Sequence, residues 1–376
     1  MKEIGVGIVG FGFMGKTHAY GYKTIPFYYP KIPYRIRLVG VCDFAQEVAD
    51  EARDSFGFVY STKNPADIFK NPEIDVVDIC TPNINHKEGV LGALRAGKHV
   101  YCDKPLATNY NEALEILNAI ASSSLTTQMA LQYRFYPATL RAKELLVEGR
   151  IGKIMSFRAC YLHSGSVDPD KPIGWKQDKK LGGGGVLFDL GSHVLDLMYS
   201  LLGEYESVFA TTRIVYPSRP DRQGVRVPIE ADDIAFLSLK MKDGSIGSVE
   251  VSKVATGTND ELRFEIHGDK GALRFNLMEP NWLEFYDNTL PEAALGGVRG
   301  YVRIECVQRY APPGNIFPGP KFTLGWLRGH VHSLYNFLGC VHEGTPASPS
   351  FAEGAYIQYV MEQAYLSDVK KTWINL

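Results

Sequence analysis

The feature that most constrains this chain is a glycine-rich loop between an apolar strand and a helix at the amino terminus. The strand pattern over residues 4–9 runs directly into Gly10-Phe11-Gly12-Phe13-Met14-Gly15, and a helical pattern begins at Lys16. The order strand, Gly-x-Gly-x-x-Gly, helix is typical of a βαβ unit that binds a dinucleotide. A helix that starts at such a loop points its free N–H groups and its positive dipole end at the phosphates.

Each residue of this loop has its own expected task. Gly10 is suited to a tight turn, Gly12 lacks the Cβ that would block a pyrophosphate, and Gly15 lets helix and strand pack closely. Phe13 and Met14 stand at the start of the helix, where we expect them to border the cofactor. A turn in any α/β protein can match three glycines by chance, so the assignment needs support from other residues.

Composition limits the kind of protein that the chain can be. Its 376 residues exceed one compact core and suggest two domains. A hydrophobic content of 45% and a net charge of -2 argue against disorder and against a nucleic-acid partner. The amino terminus leaves no room for a signal peptide, and no apolar run approaches the roughly 20 residues of a membrane span. With six scattered cysteines, we expect a cytoplasmic protein with reduced thiols, no membrane partner and a small-molecule ligand.

The first third of the chain alternates short apolar runs with helical patterns, which is typical of βαβ units and a buried parallel sheet. Strands are expected at Arg35–Val41, Ile74–Cys80, Lys98–Cys102 and Thr126–Leu131, and helices at Gln46–Ser55, His86–Ala96 and Asn111–Ala121. Three prolines over Ile25–Tyr34 predict an aromatic loop insertion, because proline is excluded from a helix interior. This loop packs on the first helix in the simpler interpretation; a substrate-side or subunit-contact role is the alternative.

After residue 135 the pattern changes to longer alternating segments. Helices are expected at Ala138–Glu148, Val186–Leu202, Leu324–Val341 and Phe351–Val369, and strands at Lys153–Leu162, Ala235–Met241, Ser245–Val254, Leu262–His267 and Ala272–Leu277. Asp-Gly and Gly-Asp junctions predict hairpins between the last four strands. We therefore predict a Rossmann dinucleotide-binding domain over residues 1–135 and an α+β domain over residues 136–376. Its sheet is expected to be mainly antiparallel and open, with one face available for subunit contact.

An acid ends the second predicted strand, where an adenosine ribose would lie. Asp43 follows Gly15 by 28 positions, more than the usual ~20, and the proline-containing stretch accounts for the excess. A carboxylate there accepts hydrogen bonds from the ribose diol and repels a 2′-phosphate, which favours NAD over NADP. Capping of the next helix by Asp43 is a compatible second role.

Two further strand ends are expected to meet at the same crevice, because ligands bind beyond the carboxyl ends of parallel strands. The residues expected to border the cofactor there are Thr81, Pro82, Asn83, His86, Asp103 and Lys104. Lys104 is confined between a strand end and a proline, and a cationic nicotinamide beside it would depress its pKa. A simple salt bridge between Lys104 and Asp103 is the alternative. His86 is expected to line the cofactor from a helix start rather than to act as a base.

A glycine cluster at residues 182–185 leads into a second chemical segment. If the residues after it are helical, Asp189, His193 and Asp196 stand at i, i+4 and i+7 on one face. Histidine is suited to exchange a proton near neutral pH, and a carboxylate one turn away can orient it. A hydrogen-bonded core histidine is the alternative, and no metal site is expected because a third nearby ligand is lacking.

Together these motifs resemble the glucose–fructose oxidoreductase / inositol dehydrogenase family. The shared motifs are Gly10–Gly15, Thr81-Pro82-Asn83-x-x-His86, Asp103-Lys104-Pro105, Gln132-Tyr133-Arg134-Phe135 and Asp189-x-x-x-His193 with its preceding glycines. The resemblance runs through nearly the whole chain and implies that Lys104, Asp189 and His193 surround a reacting carbinol. Asp103 stands where the family usually has glutamate, and Gln132 where it usually has asparagine.

The resemblance implies an NAD-dependent oxidoreductase that transfers a hydride between nicotinamide and a sugar or an inositol-like polyol. His193 is expected to be the general acid/base, Lys104 to position the hydroxyl, and Asp189 to anchor substrate or orient the imidazole. The reversed assignment, with Lys104 as base, stays open. Further substrate contacts are expected from Arg134, His163, Trp175 and Lys176.

Two other functions use the same motifs. One is a redox-neutral enzyme that oxidises a sugar transiently with bound NAD and so enables an elimination. The other is a non-catalytic regulator that senses a sugar or NAD, against which the intact Lys104, Asp189 and His193 argue. The antiparallel sheet and the resemblance also imply a homodimer or homotetramer.

Overall fold

A six-stranded parallel sheet forms the amino-terminal part of the computed structural model, which describes residues 1–121 and 123–376. Its strands are β1 (Lys2–Val9), β2 (Tyr34–Cys42), β3 (Tyr60–Thr62), β4 (Val76–Ile79), β5 (His99–Cys102) and β6 (Thr127–Met129). Its helices are α1 (Phe13–Tyr28), α2 (Gln46–Phe56), α3 (Pro65–Lys70), α4 (His86–Arg95) and α5 (Tyr110–Ile120). The strand order β3-β2-β1-β4-β5-β6 is that of a Rossmann fold, as predicted.

The central position of β1 explains its apolar sequence. Six of its eight residues are buried, because helices cover both faces of the sheet. Since β1 pairs in parallel with β2 and β4, the chain segments that follow these three strands meet at one edge of the sheet. The glycine loop, Asp43 and Thr81 therefore lie along that edge.

A nine-stranded sheet forms the second layer. Its strands are β7 (Ile154–Leu162), β8 (Tyr205–Arg213), β11 (Ile234–Met241), β12 (Ile246–Ser252), β13 (Glu261–Gly268), β14 (Gly271–Asn276), β15 (Trp282–Asp287), β16 (Tyr301–Glu305) and β17 (Ile374–Asn375), while β9 (Ser218–Pro220) and β10 (Arg226–Pro228) form a separate ribbon. The helices that follow α5 are α6 (Pro137–Val147), α7 (Lys179–Gly182), α8 (Ser192–Leu202), α9 (Leu327–Glu343) and α10 (Phe351–Lys370).

The nine strands lie in the order β16-β15-β14-β13-β7-β12-β11-β8-β17. The predicted hairpins β11–β12 and β13–β14 are present, and the sheet is mainly antiparallel, as expected. The neighbours β7 and β12 are parallel, however, so both strands end at the same edge of the sheet. This pairing, which the sequence did not indicate, brings two remote segments to the site described below.

One face of the second sheet packs on helices and the other is open. In β11 the residues Ala235, Leu237 and Leu239 are buried in a core shared with α8 and α10. The alternate residues of the same strand point to the other face, where Phe236 is exposed. The open face expected from the sequence is therefore present.

Helix α9 returns from the carboxyl-terminal part of the chain to the first sheet. Its residues Val331 and Leu334 share a core with Tyr22 and Ile25 of α1. The approach is close, because a Cβ on Gly21 would lie 2.5 Å from a methyl group of Leu334. The two parts of the chain are therefore joined by a packed helix pair as well as by the backbone.

The expected loop at Ile25–Tyr34 is wrong over its first residues, since α1 continues through Pro26 to Tyr28. Pro26 lies in the last turn of the helix and removes one hydrogen bond there, but the turn still closes from the Tyr29 N–H to the Ile25 carbonyl at 2.8 Å. The Tyr29 ring then stacks on Tyr335 of α9 at 3.7 Å between centroids. The aromatic stretch therefore packs on α9 rather than only on the first helix.

The sequence also led us to expect no apolar run near the length of a membrane span. Among the described residues, the helical stretch Lys179–Leu202 is long and apolar enough for one, but 72% of its most apolar window is buried inside the fold. Burial of this kind is what the core helix of a globular protein shows.

Candidate active site

A cavity of about 1280 Å³ lies between the carboxyl-terminal edge of the first sheet and the shared end of β7 and β12. The predicted residues that line it are Gly10, Gly12, Phe13, Met14, Asp43, Thr81, Pro82, Asn83, Asp103, Lys104, His163, Trp175, Lys176, Asp189 and His193. Gly15, His86 and Arg134 do not line it. The cavity is large enough for a dinucleotide and a small substrate together.

The three loop glycines have the geometry that their expected tasks require. Gly10 has a φ of +92°, and a Cβ there would lie 2.7 Å from the Cys80 carbonyl group. A Cβ on Gly15 would lie 2.3 Å from the Gly10 oxygen, so Gly15 serves the contact between helix and strand. A Cβ added to Gly12 would meet nothing within 4 Å, which leaves room for a ligand at this position.

The start of α1 fits an anionic ligand. Gly12 is its N-cap, so no side chain accepts the free N–H groups, and its first turn has no acidic residue. The Thr81 hydroxyl, in a neighbouring strand-end loop, is buried and has no hydrogen-bond partner among the described residues. These groups would hold a dinucleotide.

Asp43 lies at the edge of the cavity with its carboxylate fixed by the backbone. Its two oxygens accept hydrogen bonds from the Phe11 N–H at 2.8 Å and the Ala45 N–H at 3.1 Å. A carboxylate has further lone pairs, which remain for a ribose diol. Lys63 and Asn64, which follow β3, also line this end of the cavity, so a cation that the sequence did not indicate lies near the acid.

The prediction that His86 lines the cofactor is wrong. Its side chain is fully buried, with Nδ1 2.8 Å from the Pro105 oxygen and Nε2 2.9 Å from the Thr81 oxygen. The imidazole therefore joins two strand-end loops behind the cavity wall. Asn83 connects the same region to the second layer, since its Nδ2 donates to the Gly182 oxygen at 2.8 Å.

The glycine cluster permits the close approach that places Asp189. Gly183 has a φ of +80°, and a Cβ there would lie 2.4 Å from the Thr108 oxygen. Asp232 accepts hydrogen bonds from the Gly185 and Leu187 N–H groups, both at 3.0 Å, and so fixes the start of the next helix. That start is a π-helical turn over residues 187–191, a feature often found at functional sites.

Three lysines surround the carboxylate of Asp189. Lys104 and Lys176 each place Nζ 2.8 Å from Oδ1, and the Lys253 Nζ lies 3.2 Å from Oδ2. Burial alone would raise the pKa of Asp189, but the three ammonium groups hold it well below its usual range. The carboxylate is therefore a fixed anion. Lys253 was not predicted from the sequence.

Lys104 does not form the salt bridge with Asp103 that was the alternative expectation. Its Nζ also donates to the Asp189 backbone oxygen at 2.6 Å, while Asp103 accepts the Lys104 backbone N–H at 2.8 Å. Burial lowers the pKa of Lys104 from its ordinary 10.5; Asp189 opposes the change and Lys176 adds to it. Lys104 therefore bridges the two layers. Its ammonium group loses its proton more easily than that of a lysine in water.

His193 lies in the cavity wall with a pKa well below its ordinary 6.5, because burial and then Lys104 disfavour its cation. Its Nδ1 is buried without a hydrogen-bond partner among the described residues, and the residue lines the cavity. The ring packs edge-on against Tyr133, with centroids 4.9 Å apart. The imidazole is therefore neutral and able to accept a proton.

The expected stripe of acid, imidazole and acid does not form. The π turn changes the register after Asp189, and Asp196 pairs with Arg134, whose Nε lies 2.8 Å from Asp196 Oδ2. Arg134 also donates to Glu353 at 2.6 Å, so its guanidinium joins α8 to α10. Arg134, expected to contact substrate, therefore lies outside the cavity lining, and no hydrogen bond joins Asp189 to the imidazole among the described residues.

The cavity wall contains a second polar network that was not predicted from the sequence. The hydroxyl oxygens of Tyr133 and Tyr161 lie 2.6 Å apart, and Tyr161 donates to Asp260 at 2.6 Å. His163 Nε2 lies 2.8 Å from the same Asp260 oxygen, and Trp326 Nε1 lies 3.4 Å from the Tyr133 hydroxyl. Tyr133 belongs to a motif noted in the sequence, whereas no pattern marked Asp260 or Trp326.

One group of metal-type ligands occurs among the described residues, beneath the cavity floor. His18, Asp78 and Cys80 place their ligand atoms within 4.8 Å of one another. They are already joined to each other, with His18 Nδ1 3.0 Å from Asp78 and 3.1 Å from the Cys80 sulfur. Tyr22 donates to the same carboxylate, so the group forms a hydrogen-bonded support for the strand ends.

The fold and this cavity define an NAD-binding oxidoreductase with a second α+β layer. Residues 4–131 match the model of an oxidoreductase family with an NAD-binding Rossmann fold, and residues 139–274 match the GFO/IDH/MocA carboxyl-terminal domain. The chain belongs to the Gfo/Idh/MocA family, which is the family that its motifs resemble.

Known relatives cover the whole chain. Levoglucosan dehydrogenase of Pseudarthrobacter phenanthrenivorans is 32% identical, over 100% of this chain and 99% of that protein. Solved structures of levoglucosan dehydrogenase with NADH and levoglucosan, and with NADH and L-sorbose, superpose with a TM-score of 0.95 over 100% of this chain and 99% of theirs. Inositol 2-dehydrogenase of Rhizobium meliloti is 25% identical over 98% of each chain.

Proposed function

We propose that this protein is an NAD-dependent dehydrogenase that transfers a hydride between a sugar or polyol CH–OH group and nicotinamide. The observation that carries the proposal is the contact of Lys104 with Asp189 beside His193, in the cavity that also contains the glycine loop. These groups can bind a hydroxyl and take its proton next to a dinucleotide site. The activities named for the relatives, which act on levoglucosan and inositol, support this substrate class.

Removal of a hydride from an alcohol requires that the hydroxyl proton also leave. NAD, when bound, supplies the hydride acceptor. In our proposal the neutral His193 takes the proton at Nε2, and Lys104 donates a hydrogen bond to the carbinol oxygen as negative charge develops there. Asp189 holds Lys104 in place and anchors the substrate. The lowered pKa of Lys104 keeps the reversed assignment testable, with Lys104 as the base.

We also propose that NAD is preferred over NADP. The fixed carboxylate of Asp43 at the ribose end of the cavity supports this, because it would repel a 2′-phosphate. Lys63 lines the same end and would weaken the repulsion, so the proposal rests on the backbone contacts that hold the Asp43 carboxylate in place.

The proposed division of labour assigns cofactor binding to residues 1–135 and substrate binding to residues 136–376. We further propose a cytoplasmic homodimer or homotetramer. All six cysteines are free thiols, which suits a reducing compartment, and the open face of the second sheet exposes Phe236 and Ile246 for subunit contact. Sedimentation of the purified protein would test the assembly; a sedimenting monomer would contradict it.

A substrate screen tests the activity. The purified chain is incubated with levoglucosan, myo-inositol, D-glucose, glucose 6-phosphate or L-sorbitol and either NAD or NADP, and NADH or NADPH absorbance is followed. We expect net formation of NADH with at least one neutral sugar or polyol. Release of a modified sugar without net NADH would instead indicate the redox-neutral reaction, and NADH binding without any turnover would indicate a regulator.

A further inference from the structure

Asp189 is contacted by ammonium groups on both of its oxygens. Lys104 and Lys176 lie on Oδ1, and Lys253 lies on Oδ2 at 3.2 Å. The proposed reaction uses Lys104 at the reacting hydroxyl, and it assigns nothing to Lys253. Lys176 is partly exposed, but Lys104 and Lys253 are both buried, and a second buried cation on one carboxylate is costly unless it finds further acceptors.

The backbone fixes Lys253 firmly at the cavity wall. It follows β12, its N–H donates to the Asp233 oxygen at 3.0 Å, and its oxygen accepts the Ser166 N–H at 2.9 Å. Because β12 runs parallel to β7, Lys253 lies at the same sheet edge as His163. The backbone position of Lys253 is therefore set by two strands of the second sheet.

The ammonium group of Lys253 has fewer acceptors within the described part of the chain than it has N–H donors. Its side chain is 11% exposed, and within the described part of the chain its only charged partner is Asp189, with no well-aligned hydrogen bond from Nζ. An ammonium group has three donors. The group lines the cavity, so a ligand is the natural source of the missing acceptors.

We propose that Lys253 is a specificity-determining residue that binds the hydroxyl next to the reacting carbinol, so that the site selects substrates with a vicinal diol. This inference rests on the proposed function. Each hydroxyl of a diol both donates and accepts a hydrogen bond. Asp189 has lysine donors beside both of its oxygens, with Lys104 at Oδ1 and Lys253 at Oδ2. Lys104 serves the reacting oxygen, Lys253 serves its neighbour, and Asp189 accepts from the diol.

The arrangement predicts strong rejection of substrates that lack the second hydroxyl. A site built to bind a hydroxyl discriminates against the deoxy analogue because its own polar group is then left unpaired. For wild-type protein we expect kcat/KM to fall about 100-fold or more when the neighbouring hydroxyl is replaced by hydrogen. Removal of a distant hydroxyl should cost much less.

The test combines substrate and protein changes. Wild type, Lys253→Met and Lys253→Gln are assayed with D-glucose and its 2-deoxy, 3-deoxy and 4-deoxy derivatives, and with levoglucosan and myo-inositol. We expect Lys253→Met to raise KM for the full substrate about 30-fold or more with kcat changed less than about threefold, and to abolish discrimination against one deoxy derivative. Lys253→Gln, which keeps a hydrogen-bond donor, should retain part of the discrimination against that deoxy derivative.

Lys242→Met is the matched control, since Lys242 is an exposed residue of the turn between β11 and β12 and pairs with Glu204. NADH affinity and the melting temperature of each variant show whether the fold is intact. If Lys253→Met folds and still rejects every deoxy derivative as wild type does, or if it loses kcat without a change in KM, the inference is wrong. If wild type oxidises none of these sugars, the proposed function fails, and the inference with it.

Discussion

The Lys104 ammonium group lies 2.8 Å from Asp189 Oδ1 and 2.6 Å from the Asp189 backbone oxygen, which joins the end of β5 to the π turn before α8. One contact therefore connects the six-stranded layer to the nine-stranded layer at the proposed site of reaction. The carboxylate partner is a fixed anion, so the lysine cannot move without breaking a buried ion pair.

Replacement of Lys104 tests its role at the reacting hydroxyl. We expect Lys104→Met to lower kcat about 100-fold or more, because the donor to the carbinol oxygen is lost, while NADH affinity changes little. Steady-state rates and NADH fluorescence titration measure the two effects. Lys23→Met, at an exposed lysine of the same layer, should leave both unchanged. An equal loss of NADH affinity in Lys104→Met would show that the residue serves the cofactor instead.

The pH dependence of kcat/KM distinguishes the two candidate bases. The pKa of His193 lies well below 6.5, so the neutral, proton-accepting form predominates at neutral pH and is lost only as the pH falls through the lowered pKa. We expect an acidic limb below pH 6.5 that His193→Asn removes. If the rate instead rises with pH well above neutrality and Lys104→Met abolishes that limb, Lys104 is the base.

Most of the cofactor half of the site could be predicted from the sequence. The glycine loop and Asp43 follow strands whose apolar patterns are strong, and the parallel sheet brings strand ends together by rule. His86 was misplaced because it stands beside cavity residues, yet its side chain turns inward to two backbone oxygens. The position of His86 in the sequence did not indicate which way its side chain points.

The substrate half was less predictable because it depends on contacts between remote segments. Lys253 reaches Asp189 through the parallel pairing of β7 and β12, while hairpin signals indicated only antiparallel neighbours. Spacing in a regular helix would have aligned Asp189 with Asp196, but the π turn separates them and Arg134 takes Asp196 as its partner. Neither the pairing nor the π turn has a local sequence signal.

A pair of glycine variants separates cofactor binding from folding. A Cβ on Gly12 meets nothing within 4 Å, so Gly12→Ala should fold normally but bind NADH about 10-fold or more weakly, because the methyl group occupies the phosphate position. A Cβ on Gly15 would lie 2.3 Å from the Gly10 oxygen, so Gly15→Ala should lower the free energy of unfolding by about 1–3 kcal/mol. Urea unfolding and NADH titration check both. Equal NADH affinity in Gly12→Ala and wild type would refute the proposed phosphate position.

Asp43→Asn tests the basis of cofactor choice. The amide oxygen can still accept one of the two backbone N–H groups that Asp43 binds, that of Phe11 or that of Ala45, while the negative charge is lost. A hydrogen bond to a charged group is worth about 1.5–3 kcal/mol, so kcat/KM for NAD should fall about 10-fold or more relative to that for NADP. Assays with both cofactors measure the ratio. An unchanged ratio would mean that Asp43 does not face the ribose.

His332 links the stability of the α9 packing to pH. Burial, followed by Arg328, lowers its pKa to about 3, and its Nδ1 lies 2.8 Å from the Tyr29 hydroxyl. The folded protein therefore keeps His332 neutral while the unfolded chain takes up a proton below pH 6.5, so stability falls as the pH decreases from 6.5 toward 3. The slope for this residue is about 1.4 kcal/mol per pH unit. His332→Gln should flatten the dependence of the unfolding free energy on pH between about 6 and 4 by that amount. Equal slopes in wild type and His332→Gln would show that His332 is not neutral in the folded state.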